Sequence, residues 1–136
     1  MSIKPLFAAT LLALAAGCSS PPADLDRSLQ RPTLGHKYVV ALQAPNPPAA
    51  INQLHDWEVR VTSPAGQPVV HARIGVDGGM PQHGHGLPTA PQVTRALGNG
   101  DHLVEGVKFN MGGWWVVRFA IASSAGTDTV TFNLGL

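Results

Sequence analysis

From Tyr38 onward the apolar residues of this chain recur at every second position, a period that belongs to strands and not to helices. Trp57, Val59 and Val61 alternate with Glu58, Arg60 and Thr62, which describes a strand with one face buried and one face wet. Tyr38, Val40 and Leu42 alternate with Lys37, Val39 and Ala41 in the same way. Val70, Ala72, Ile74 and Val76 alternate with His71, Arg73, Gly75 and Asp77. Val93 to Leu97 is a shorter candidate, His102 to Phe109 follows it, and Trp114 to Ala122 places Trp115, Val117, Phe119 and Ile121 on one face. Gly98-Asn99-Gly100-Asp101 is a hairpin turn, because Asn and Gly tolerate positive φ. Ala125-Gly126-Thr127-Asp128 turns the chain into a last strand over Thr129 to Leu134. Asn46 to Asn52, with two prolines, reads as a loop. About seven short strands at this spacing, with no segment of helical period, predict an all-β antiparallel sandwich. Its core is predicted to hold Trp57, Trp115, Val117, Phe119, Ile74 and Val76. Trp114 falls out of phase and is expected to be partly exposed.

The N-terminus has a different composition. Met1 to Ala16 carries one positive charge, Lys4, and then an apolar run from Pro5, too short to span a bilayer but long enough for the core of a secretory signal. Leu14-Ala15-Ala16-Gly17-Cys18 closes it and resembles the lipobox of bacterial lipoproteins, in which the cysteine becomes the first residue and carries the lipid. On that reading residues 1–17 are the signal peptide, 18–33 a flexible polar tether and 34–136 the folded domain. Membrane association through Cys18, in a bacterial cell envelope and facing the periplasm, follows as the expectation. Ser19, rather than an aspartate, points to the outer membrane by resemblance to enterobacterial sorting.

Removing 17 residues leaves 119, enough for one domain with a core. Without Lys4 the eight remaining basic residues balance eight acidic ones, so no basic stripe marks a nucleic-acid partner. Cys18 is the only cysteine, which excludes an internal disulfide and, once lipidated, any thiolate ligand or nucleophile. Ser123 and Ser124 have no marked base beside them, and Glu58 and Glu105 form no acid–base pair by spacing, so the chain is expected not to be an enzyme.

Chemistry concentrates between Gly78 and Pro91, where half of the positions are Gly or Pro. Such a segment is expected to be a shaped loop outside regular helix or central strand. Within it Met80, His83 and His85 lie close together, and thioether and imidazole are the ligand types that suit copper. Met111, from a second turn, completes a possible set of two methionines and two histidines, with Asp77 as a possible partner orienting an imidazole. The bland alternative is a loop fixed by histidines bonded to backbone, with Met111 filling the core. A site built from His83, His85 and Asp77 with an open position is a third arrangement, of the hydrolytic kind. His36, His55 and His71 are isolated and expected on the surface.

The residues Gly79-Met80-Pro81-Gln82-His83-Gly84-His85-Gly86, then Pro88-Thr89, then Glu105 to Trp115, resemble the YtkA-like domain family, relatives of FixH included. The resemblance covers the chain from about Trp57 onward and implies an immunoglobulin-like β-sandwich in the bacterial envelope. It implies no established activity. His102 stands where relatives often have an aromatic residue, which leaves its role open. Two functions stay in view. One is an envelope lipoprotein that binds copper as a carrier or sensor. The other is a non-catalytic module binding another envelope protein, with the His-Gly-His loop purely structural.

Overall fold

Alternation along the chain produces two antiparallel sheets whose apolar faces meet. A computed structural model describes residues 21–136. The proposed signal peptide and Cys18 lie outside the described residues. Nine strands form among the described residues: β1 (Gln30–Pro32), β2 (Val39–Gln43), β3 (Leu54–Thr62), β4 (Arg73–Met80), β5 (His85–Gly86), β6 (Gln92–Gly98), β7 (Asp101–Lys108), β8 (Trp114–Ser123) and β9 (Gly126–Gly135). One sheet has the order β1-β2-β3-β7-β6 and the other β5-β4-β8-β9. With the short β1 set aside, this is the order of an immunoglobulin-type sandwich. Seven of the strands match the expected ones, and β1 and β5, three and two residues long, are the additions.

The inner faces carry the expected alternation. Trp57, Val59 and Val61 are buried from β3, and Trp115, Val117, Phe119 and Ile121 from β8. Ile74 and Val76 sit at the margin of this core, half-buried, because β4 lies next to the edge of its sheet. Trp114 is half-buried as its phase predicts, with its indole N–H donating to Asn133. The β6–β7 hairpin closes at Asn99 and Gly100, both at positive φ (51° and 80°).

Three expectations change. The last hairpin turns at Ser124-Ala125, so β9 begins at Gly126 and not at Thr129. Tyr38 explains this: its buried hydroxyl donates to the Gly126 carbonyl and accepts from Ser123, which fixes the turn from below. Val70 precedes β4 and is exposed, because β4 starts only at Arg73. The expected tether is folded over its second half: β1 pairs with β2, and Arg31 donates to the Thr131 carbonyl across the open side of the sandwich.

Asp128 makes that strap fast. Its carboxylate accepts Thr33 Oγ1 at 2.6 Å, the backbone N–H of Gly35 at 2.9 Å and that of Lys37 at 3.2 Å. The hydrogen bond from Thr33, with those from the Gly35, Lys37 and Thr129 backbone, holds this carboxyl well below the usual carboxylate range. A depressed pKa contributes stability above the unfolded value, and that stability is lost as the pH falls through the folded one. Asp128→Asn should therefore lower the melting temperature at neutral pH, and the gap to the parent chain should close as the pH drops below about 4. Thermal melts of the two proteins across that range check this. Trp115→Ala, which removes a fully buried indole, should cost about 3–5 kcal/mol in urea unfolding.

Candidate functional site

The glycines at the end of β4 are required by the backbone around them. A Cβ on Gly78 would overlap the Val116 carbonyl oxygen, and one on Gly79 the His85 carbonyl oxygen. Freed of side chains, β4 continues as a strand through Met80, turns over residues 81–84 and returns as β5. The segment expected to be loop throughout is thus partly a tight hairpin, with Gly79 opposite Gly86 and Met80 opposite His85. The missing side chain, which weakens glycine inside most strands, is what lets Gly78 and Gly79 take this close backbone approach. Gly84 takes positive φ (66°), and the N–H groups of His83 and Gly84 both donate to the Met80 carbonyl, at 3.1 and 3.0 Å.

Residues directly opposite one another share a sheet face. Met80 is buried, so its face is the inner one, and His85 lies on that same face at the open edge. The adjacent register pairs Gly79 with Val116, so Trp115 is the next residue along β8 beside Met80. His85, Met80 and Trp115 therefore form a row across β5, β4 and β8. The His85 ring packs on Trp115 with centroids 5.6 Å apart at 69°, and the His83 ring stands 5.9 Å from that of His85.

Hydrogen bonding sets the tautomer of His85. Its Nδ1 lies 2.9 Å from the Gly86 carbonyl oxygen, which only accepts, so Nδ1 carries the proton. The lone pair is then on Nε2, and the ring is oriented by the same contact, as it is in metal-ligating histidines. No tautomer of His83 is fixed in this way. Below the row, Trp115 donates its indole N–H to the Met111 carbonyl at 3.0 Å and packs edge-on against Phe109 at 5.1 Å.

Of the sequence-derived candidates, Met80, His83 and His85 are brought together. Met111 sits in the adjoining turn, tied by its backbone, with its side chain over a third exposed (38 %). The Met80 methyl reaches under that turn, 2.8 Å from where a Cβ on Gly113 would be. Asp77 is placed apart: it belongs to the outward-facing set of β4, accepts from the Gly78 N–H and stands 3.8 Å from Arg118. That ion pair is exposed on both sides and adds little stability. Among the described residues no three His, Cys, Asp or Glu side chains converge. The register places two imidazole rings, 5.9 Å apart between centroids, next to the buried Met80.

His36 and His71 are exposed as expected, whereas His55 is buried and corrects the surface reading. Its Nε2 accepts the Ala50 N–H at 2.8 Å and its ring stacks on Phe109, so it anchors the loop before β3. His102 is buried too, with Nδ1 donating to the Gly100 carbonyl, which makes it a polar wall residue of the β6–β7 hairpin. Sequence reasoning missed the Trp115 contact to His85. The signal was present in the pairing of Gly79-Met80 with His85-Gly86 around a four-residue turn.

Fold and site define a class: a small immunoglobulin-type sandwich with a methionine–histidine hairpin at one loop end. The sequence profile of the YtkA-like family matches residues 35–120, and the chain belongs to that family. The match begins ahead of β2, earlier than the motifs alone indicate, and takes in most of β8. No curated protein and no solved structure matches the chain.

Gly113→Ala tests how tightly this end is packed. An added Cβ meets the Met80 methyl at a residue with φ of 129°, so the variant should lose about 1–3 kcal/mol in urea unfolding. The same change should perturb the NMR resonances of the His85 ring, which lies one strand further along the row.

Proposed function

We propose that this domain binds a soft metal ion, copper(I) foremost, as a carrier or sensor in the bacterial envelope, and that it is not an enzyme. The observation that carries the reading is the row itself. The Met80 thioether and the His85 ring share one face, with the free lone pair on His85 Nε2 and a second imidazole, His83, beside it. A thioether with two imidazoles is a soft donor set, and it favours Cu(I) over the harder divalent ions. Met80 and His85 would hold the ion, His83 would complete the set, and Met111 stands ready in the neighbouring turn. Copper would supply a one-electron redox couple; the chain supplies orientation, through the Gly86 carbonyl on Nδ1 and Trp115 behind the ring. Trp115 and Phe109 also keep water out on the inner side.

A lipid on Cys18 would keep the domain at the membrane, consistent with a periplasm-facing lipoprotein. The lipobox supports this part of the reading, and the family membership supports an accessory domain of the envelope.

Metal bound by the folded chain and not by the unfolded one stabilises by mass action, about 2.7 kcal/mol at a hundredfold excess over Kd. Added Cu(I) should raise the melting temperature, and His85→Ala, His83→Ala and Met80→Leu should each remove most of that rise. A purely structural hairpin gives a different pattern. The histidine variants would then melt lower without metal, and copper would shift neither them nor the parent chain. That second pattern overturns the copper reading and leaves a non-catalytic module that binds another envelope protein.

A further inference from the structure

Every connection at one end of the sandwich meets the point where the chain enters it. The end of β2, the start of β3, the β7–β8 turn, the end of β9 and the β4–β5 hairpin all lie there. Gln30, at the start of β1, pairs with Ala41 near the end of β2, so the chain also arrives at this end. Ahead of it the Asp26 carbonyl accepts from Asn133 Nδ2 at 2.8 Å, which ties the entering segment to the last residues of β9.

Five of the eight large apolar side chains exposed among the described residues rim the same end, the other three, Leu34, Val70 and Leu97, lying toward the opposite end. Leu54 is 68 % exposed, Ile51 44 %, Leu29 and Leu136 39 % each, and Met111 38 %. Ile51, Met111 and Leu136 are contiguous, and Leu54 stands nearby at the start of β3. The Ile51 Cδ1 and the Leu136 carbonyl both lie against Gly112, next to Met111, and Gly113 and Leu136 exchange backbone hydrogen bonds. Leu29, Pro45, Pro48, Ala49 and Leu136 line a shallow apolar groove that continues the rim. Arg27 lines the same groove and has no ion-pair partner among the described residues.

We infer that this end of the domain rests on the lipid surface of the membrane, with the methionine–histidine hairpin held at the bilayer interface. The inference rests on the lipid anchor at Cys18 proposed above. The reach of the chain supports a lipid occupant. Asp26 lies eight positions after Cys18, a stretch that spans at most about 26–29 Å when fully extended. An anchored domain is therefore held within that distance of the bilayer, with the end where the chain enters nearest to the anchor. The opposite end, at the turn over residues 63–66, lies a ten-residue strand away, about 33 Å. Exposed Leu, Ile and Met side chains with an unpaired Arg match the acyl–headgroup boundary, where apolar groups bury and a cation meets anionic lipid.

The test uses the full lipidated chain in vesicles of phosphatidylethanolamine and phosphatidylglycerol that contain nitroxide-labelled lipid. An environment-sensitive fluorophore is attached at Ile51→Cys in the rim or at Ala65→Cys at the far end, and flotation is measured on the same samples. The expected result is several-fold stronger quenching at position 51 than at 65, and loss of that difference in Leu54→Asp while flotation persists. Equal quenching at both positions in a chain that floats overturns the docking and leaves the anchor intact. A chain that does not float overturns both. An unquenched position 51 that cross-links to a protein in native membranes overturns the lipid occupant in favour of a protein one.

Discussion

The indole of Trp115 ties the core of this molecule to its hairpin. It is fully buried, packs edge-on against Phe109, and gives its N–H to the Met111 carbonyl. Its neighbours across the sheet are Met80 and, beyond that, His85. One side chain therefore fixes the height of the β7–β8 turn and forms the wall on which the His85 ring lies. A smaller residue would leave Met80 without a neighbour on one side and His85 without its wall. Burial stabilises the fold, and through the same contacts it positions the imidazole.

The two ends of the sandwich are built differently. At the end away from the hairpin, the β6–β7 and β8–β9 turns are short and closed by specific bonds. Asn99 and Gly100 make a two-residue turn, the Tyr38 hydroxyl pins the β8–β9 turn, and Asp128 collects the strap. At the hairpin end every connection has at least four residues, and five of the eight exposed large apolar residues among those described stand there. His55 holds one of these loops through Ala50, and its Nδ1 is buried without a partner, as is Trp57 Nε1. The hairpin end carries the exposed donors and the uncovered apolar rim.

Much of this was legible in the sequence, because period two marks strands whatever the order in which they later pair. Trp57 to Val61 and Trp115 to Ile121 declare their inner faces by alternation alone. The Asn99-Gly100 turn follows from φ preferences. What stayed hidden depends on contacts distant in sequence. Gln30 to Pro32 has no periodic signal, and it becomes a strand only because β2 offers an edge and Asp128 lies 95 residues from Thr33. His55 looked like a surface residue because an isolated histidine gives no sign of Phe109 or Ala50. The glycines at 78 and 79 argued for a loop, yet their lack of Cβ is what permits the backbones of β5 and β8 to lie so close to the end of β4. The residue types of the candidate site were readable. Their arrangement was not, since the row His85–Met80–Trp115 depends on the register of three strands.

Copper bound by Met80 and the two imidazoles is the central claim, and X-ray absorption at the copper edge of the Cu(I)-loaded chain tests it most directly. One thioether sulfur shell together with imidazole scattering is the predicted spectrum, and Met80→Leu should remove the sulfur while imidazole scattering persists. A coordination shell of light atoms alone in the parent chain, with no sulfur, would contradict it.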